Sequence, residues 1–210
     1  NQCVFCNQHQ IAGAECAPSV EEVIRKVDEH LLTIPTGGEV EIGFFGGNFT
    51  GIPEKEQQAY LGCVQPYIES GRVQGIRLST RPDYITSEIL DLLKKYHVTS
   101  IELGAQSLDD EVLRLAGRGH TAEQVQVASQ LIRDNGFNLG LQMMIGLPGD
   151  TAEKSLFTAK GIIRLGADCT RIYPTLVIKN TELEQLYLDG KYQPLSLEEA
   201  INRVAGLVPL

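Results

Sequence analysis

Glu39-Val40-Glu41-Ile42-Gly43-Phe44-Phe45-Gly46-Gly47-Asn48 reads as a strand that runs into a double glycine. The same grammar recurs down the chain: an apolar, strand-like run, a polar or glycine-rich end, then an amphipathic helix. Strands are expected over residues 39–45, 75–80, 100–105, 138–145 and 169–178. Helices are expected over 19–34, 53–70, 86–96, 109–116, 121–135 and 151–165, with two more over 181–188 and 196–207. Ser19 and Glu22 form a capping box. Pro53 suits a first helical turn, and Gly71 and Gly136 stand just past helix ends. Ile89, Leu90, Leu92 and Leu93 cluster on one side of their helix.

Strand–helix units of about 30 residues imply right-handed crossovers and a parallel sheet. The strands read as β-branched and apolar on both faces, as in sheets covered by helices. An open doubly wound sheet and a barrel both satisfy that pattern. The polar residues decide between them. Gly46-Gly47, Ser79-Thr80-Arg81, Gln106, Gln142 and Tyr173 fall toward the C-terminal end of every strand. A barrel builds its site from all its strand-to-helix loops, whereas an open sheet concentrates it at one switch point. Five strands are visible, and a sixth is expected before Cys3, upstream of Asn1. The expected fold is therefore α/β, an incomplete (β/α)6 TIM-like barrel lacking its first strand. Residues 1–210 read as one domain cut from a longer chain.

The chain has 210 residues, 42% hydrophobic and 21% charged, enough for one well-buried core. A net charge of -9 argues against nucleic-acid binding through bulk positive potential, but leaves room for a local basic patch. No apolar run is long enough to span a membrane, and the N-terminus has no secretory pattern. Five cysteines at uneven spacing do not resemble a disulfide framework. Cys63 and Cys169 read as buried structural thiols. A cytoplasmic location fits.

Cys3-Val4-Phe5-Cys6 admits three readings: half a zinc site, a redox dithiol, or two ligands of an iron–sulfur cluster. Cys16 and His9 are near enough in sequence for a small zinc knuckle. The residues after Cys6 do not build the helix a thioredoxin-like dithiol needs, and Phe5 suits a cluster shielded from water. Gly46-Gly47 has a bland reading as a tight turn and a functional one as a backbone edge open to an amino-acid ammonium. His9, His97 and His120 read as surface or capping residues. Glu102 faces either the barrel interior or the helix layer.

Cys3-Val4-Phe5-Cys6 resembles the last two cysteines of the CxxxCxxC loop of the radical S-adenosylmethionine (SAM) superfamily, and Gly46-Gly47-Asn48 resembles its GGE-type motif. The likeness continues through Leu78-Ser79-Thr80-Arg81-Pro82-Asp83, the run from Glu102 to Asp109, Gly117-Arg118-Gly119-His120-Thr121, Gly146-Leu147-Pro148-Gly149 and the run from Arg171 to Ile178. It covers nearly the whole chain. It is similar to the radical domain of the Elongator catalytic subunit and its stand-alone bacterial relatives. More distantly it resembles oxygen-independent coproporphyrinogen III oxidase.

The resemblance implies roles. Cys3 and Cys6 would hold two irons of a 4Fe–4S cluster, with a third cysteine upstream of Asn1, and Gly46 and Gly47 would meet the methionyl ammonium of SAM. Gln106 and Arg118 would make polar contacts to the cofactor's ribose and carboxylate, and Ser79 and Gln142 stand at further ribose-contacting positions. An external electron donor of the flavodoxin or ferredoxin type would reduce the cluster. SAM would be cleaved to a 5′-deoxyadenosyl radical that takes hydrogen from the substrate. No acid–base dyad is required. Three functions stay open: such an enzyme acting on an RNA base, tRNA uridine foremost; the same chemistry on a tetrapyrrole or other small molecule; or a zinc-binding interaction module on a barrel scaffold.

Overall fold

The computed structural model of the chain describes residues 3–7, 17–35 and 37–210. Helix α1 (Val20–Leu31) starts at Ser19, whose side chain and that of Glu22 cap each other's backbone as the sequence predicts. Strand β1 (Glu41–Phe44) follows. Residues 53–70 make two helices rather than one, α2 (Glu54–Cys63) and α3 (Gln65–Glu69). The break falls just before Pro66, which has no N–H to donate and crowds the preceding turn. Then come β2 (Gly75–Thr80), α4 (Ser87–Lys95), β3 (Val98–Gln106), α5 (Asp110–Leu115) and α6 (Ala122–Asp134). The chain continues through β4 (Asn138–Ile145), α7 (Ala152–Arg164) and β5 (Cys169–Pro174) to α8 (Glu182–Leu188) and α9 (Leu197–Leu207). Strand β5 stops at Pro174, short of residue 178.

All five strands are parallel, in the order β1-β2-β3-β4-β5. Each strand pairs with the next in sequence, so right-handed crossovers put every connecting helix on the same face. That is the winding of a barrel, not of a doubly wound sheet, whose order reverses. The strands form a half-barrel, as the incomplete TIM-like expectation requires. Ile76, Leu78, Ile101, Leu103, Leu139, Leu141 and Met143 fill the helix-covered face and are buried against Leu90, Leu93, Val125, Ile132 and Ile162. Burying a side chain of this kind contributes about 1.5–3 kcal/mol.

The other face departs from the expectation of strands apolar on both sides. It carries a chain of ion pairs that crosses the sheet. Arg77 on β2 donates to Glu41 on β1 at 3.0 Å and to Glu102 on β3 at 3.1 Å. Glu102 also pairs with Arg171 on β5. The Arg171 guanidinium in turn lies 4.6 Å over the Phe45 ring, at the end of β1. The residue that follows β1 and strand β5, the two edges of the described sheet, therefore meet across the concave face. Glu102 faces this interior, settling what sequence left open. Cys169 lies on the same face at the start of β5 and is exposed, not buried. Its thiol accepts from Arg77 at 3.8 Å. Cys63 is half-buried. No helix among the described residues is long and apolar enough to cross a membrane.

Candidate cofactor site at the C-terminal ends of the strands

Cys3 and Cys6 open and close a turn in which the Cys6 N–H donates to the Cys3 carbonyl at 3.0 Å. Backbone bonds hold this turn against the body of the protein. Val4 donates to Ala116, at the end of α5, at 3.2 Å, and its carbonyl accepts from Leu183 in the first turn of α8 at 2.8 Å. Phe5 packs against buried Val112, Ala116 and Leu147. Cys3 is buried and Cys6 half-buried. Burial raises the pKa of Cys6, the charge of Cys3 raises it further, and Arg118 opposes both. Cys16 and His9, the other ligands weighed for a zinc knuckle, lie outside the described residues. Among the described residues no third His, Cys, Asp or Glu joins these thiols.

Arg118 lies behind Cys3. It sits between Gly117 and Gly119, both in the left-handed region with φ of 63° and 72°, a backbone that only glycine adopts freely. The loop turns the guanidinium inward. Its Nη1 donates to the Cys3 sulfur at 3.2 Å and its Nη2 to the Gly104 carbonyl at 2.7 Å. Nε is buried with no acceptor among the described residues. Although it follows a helix end, where an arginine is ordinarily solvated, the residue is only 7% exposed. Burial pulls its pKa down and the Cys3 charge pulls it back up. Beside it Arg81, itself buried, pairs with Asp83 at 2.8–2.9 Å. His120 is buried rather than a surface cap, with Nε2 at 3.2 Å from the Ala105 carbonyl and Nδ1 unpartnered among the described residues. Burial, and then the Arg118 charge, push its pKa down to about 4.

The strand ends face this cationic wall. Gly46 has φ of 106°. A side chain built on Gly47 would meet nothing within 4 Å, so this backbone edge stands open. Ser79 donates to the Gly47 carbonyl at 3.4 Å. Gln106 is in the left-handed region, φ 66°, at a register shift between β3 and β4. A non-glycine residue held there stores strain of order 1–3 kcal/mol. Gln142 on β4 donates to the Gln106 side chain at 3.3 Å. Gly104 makes room for the cluster: a Cβ there would fall 2.9 Å from Gln106 Nε2 and 3.3 Å from Arg118 Nη2.

The structure thus gathers the predicted residues into two groups. Gly47 and Ser79 touch on one side, while Cys3, Arg118, Gln106 and Gln142 join through Gly104 on the other. Sequence reasoning missed Gly104, although a glycine inside a strand pattern is a sign of close approach. It also missed Asn48. That side chain accepts from the Thr80 hydroxyl and from the Arg81 N–H at 3.1 Å, tying the loop after β1 to the end of β2.

Residues 1–159 match the model of the radical SAM superfamily, and residues 167–210 match that of the radical SAM C-terminal domain. The chain belongs to the radical SAM superfamily. Elongator complex protein 3 of Schizosaccharomyces pombe is 30% identical over 197 residues, covering 83% of this chain and 36% of that protein. The tRNA uridine(34) acetyltransferase of Methanocaldococcus infernus is 35% identical over 140 residues, covering 64% of the chain and 26% of its own length. This radical SAM chain therefore spans about a quarter to a third of the length of those two relatives. Among solved structures, the archaeal Elp3 of Methanocaldococcus infernus superposes with a TM-score of 0.77 at 28% identity, over 88% of this chain and 48% of its own. Coproporphyrinogen III oxidase of Escherichia coli shares the fold at 17% identity, with a TM-score of 0.68, over 100% of this chain and 49% of its own.

Membership of the radical SAM superfamily implies a 4Fe–4S cluster and SAM, and the residues present fit them. Two thiols share one anchored turn. A buried guanidinium has an N–H to spare for an anion. The Gly47 edge is open where a zwitterion must approach backbone.

Proposed function

We propose that this chain is the radical SAM core of an enzyme that modifies a uridine of tRNA. One observation carries the site assignment: Arg118, buried between the Cys3 sulfur and the Gly104 carbonyl, keeps an N–H that no acceptor among the described residues takes, beside the thiol turn. A buried cation with spare donor capacity is arranged for an anionic ligand. Cys3 and Cys6 would hold the cluster, Gly46 and Gly47 the methionyl ammonium, and Arg118 the carboxylate. Gln106, Ser79 and Gln142 would orient the ribose. When bound, the cluster and SAM supply one-electron reductive cleavage and a carbon radical that takes hydrogen from substrate. The chain's own residues hold, orient and shield. The Cys3 turn closes the site on the α5–α8 side, and Phe5 and Leu147 keep water from it.

The substrate reading rests on the tRNA uridine(34) acetyltransferase and Elongator relatives. It carries with it a cytoplasmic setting and a flavodoxin- or ferredoxin-type donor. A net charge of -9 means that RNA is held by local contacts rather than by a bulk field. The test is anaerobic reconstitution of the full-length protein, followed by iron, sulfide and zinc analysis, SAM titration and dithionite-driven 5′-deoxyadenosine production. Iron and sulfide lost in Cys3→Ala and Cys6→Ala, but kept in Cys63→Ala and Cys169→Ala, are expected. Stoichiometric zinc without sulfide would overturn the cluster assignment. A cluster- and SAM-loaded protein that binds no tRNA would overturn the substrate.

A further inference from the structure

The inner mouth of the half-barrel holds side chains to which the proposed cofactor contacts give no role. Phe45 ends β1 on the concave face and is 49% exposed. It does not stand up into the interior. A Cβ on Gly43 would fall 2.6 Å from Phe45 Cε2, so the ring lies back along the sheet, over a glycine that leaves it room. Arg171 crosses from β5 to lie 4.6 Å over that ring and donates to the Tyr173 hydroxyl at 3.2 Å. Tyr173 is 40% exposed. Glu102, buried, pairs with Arg171 by leaning across β4. Gly140 permits this, since a Cβ there would fall 2.6 Å from Glu102 Cγ.

This is a built surface. Two glycines make space for it, and an ion pair fixes its central residue. Its chemistry is selective. The Arg171 charge is answered by Glu102, so it offers a planar guanidinium more than a free phosphate grip. Tyr173 offers an aromatic face, and the guanidinium lying over Phe45 offers its outer plane. Together they suit a flat, uncharged ligand with π-faces, which describes an unpaired nucleobase. Phe45 directly precedes Gly46-Gly47, so a base held there lies beside the open backbone edge.

We propose that the Arg171 guanidinium, held flat on the Phe45 ring and flanked by Tyr173, is the stacking platform for the RNA base to be modified. Glu102 is a positioning residue that acts through Arg171. The proposal rests on the reading of the chain as a tRNA-modifying enzyme and names how that substrate is gripped.

The test uses full-length, cluster-reconstituted protein and a fluorescent tRNA anticodon stem–loop carrying an unpaired wobble uridine. Phe45→Leu removes the ring that holds the guanidinium flat and should weaken stem–loop binding about tenfold, in the range of a lost base stack. Phe45→Tyr should restore it to within about twofold. SAM affinity and the unfolding midpoint should not move. A stem–loop made abasic at the wobble position should bind the unaltered protein as weakly as the uridine form binds Phe45→Leu, and the two losses should not add. Tyr173→Leu should give a smaller loss of the same kind, independently of how well Phe45→Leu folds. Unchanged stem–loop affinity in Phe45→Leu and Tyr173→Leu, in a protein that binds the RNA, overturns the platform alone. Loss of SAM binding in Phe45→Leu assigns Phe45 to the cofactor and overturns it too. Failure of the unaltered, SAM-binding protein to bind the stem–loop overturns the tRNA reading and the platform together.

Discussion

Arg118 and Cys3 are 115 positions apart in sequence, yet the guanidinium donates to the sulfur at 3.2 Å inside the protein. The contact joins the loop after α5 to the thiol turn, and it makes one residue serve both. Val4 and Ala116 repeat the link in backbone, at 3.2 Å. The thiol turn is therefore positioned by protein contacts of its own.

Arg118→Ala should weaken SAM binding by about 1–3 kcal/mol, the range for losing a charge-assisted contact. It should also lower folding stability, because the Gly104 carbonyl and the Cys3 sulfur lose their donor in a buried setting. Arg118→Lys should recover less than half, since an ammonium cannot reach both partners in a fork. SAM titration and urea unfolding of each variant measure the two effects separately. Unchanged SAM affinity in both variants would remove the residue from the cofactor site.

The two glycines of the double turn should respond differently. Gly46→Ala forces a side chain onto a backbone with φ of 106° and should cost about 1–2 kcal/mol of stability. Gly47→Val meets nothing within 4 Å at its Cβ, so the unfolding midpoint should hold while SAM binding is lost. Calorimetry with and without SAM distinguishes the pair. A Gly47→Val protein that is still stabilised by SAM would return the double glycine to a simple turn.

Gly140 and Glu102 should be energetically coupled. Gly140→Ala places a Cβ 2.6 Å from Glu102 Cγ and should destabilise by about 1–3 kcal/mol, as overpacking does. In a Glu102→Ala background the crowding is gone, so most of that loss should vanish. Denaturant unfolding of the four-protein cycle reads the coupling. Additive losses would mean that Gly140 matters for some other reason.

His120 should make the fold acid-sensitive. Its folded-state pKa is pushed down to about 4, below the ordinary value of about 6.5. Between those values the unfolded chain binds a proton that the folded protein does not. The stabilisation is complete above pH about 6.5 and is lost as pH falls toward 4, with a slope of at most about 1.4 kcal/mol per pH unit for one proton. His120→Gln should flatten that segment of the stability–pH curve. An equally steep curve in the variant would assign the sensitivity to other groups.

The local signals in the sequence carried far. Ser19 with Glu22 starts a helix as read, and β2 and β4 span the residues expected. Ser79, Gln106 and Gln142 stand toward the C-terminal ends of their strands, where the sequence put them. What sequence could not supply was long-range. Whether Glu102 faces helices or interior depends on the curl of the sheet, and its two arginine partners lie on β2 and β5. Arg118 looks like a solvated helix-end residue until Cys3 is folded over it. The left-handed Gln106 follows from a register shift between two strands, which neither strand shows alone. Asn48 bonds to residues beyond the next two helices, too far for any local pattern.

The Phe45–Arg171 contact has a consequence for the order of events in folding. Every ladder in the sheet joins strands adjacent in sequence, so each closes a loop of modest length and the sheet zips strand by strand. Phe45 and Arg171 belong to opposite edges and meet only when four ladders already stand between them. Their contact is expected to form late and to be among the first to open, which Phe45→Leu would show as faster unfolding with little change in the folding rate. Opening that one contact would part the mouth while the helix-covered core stays intact.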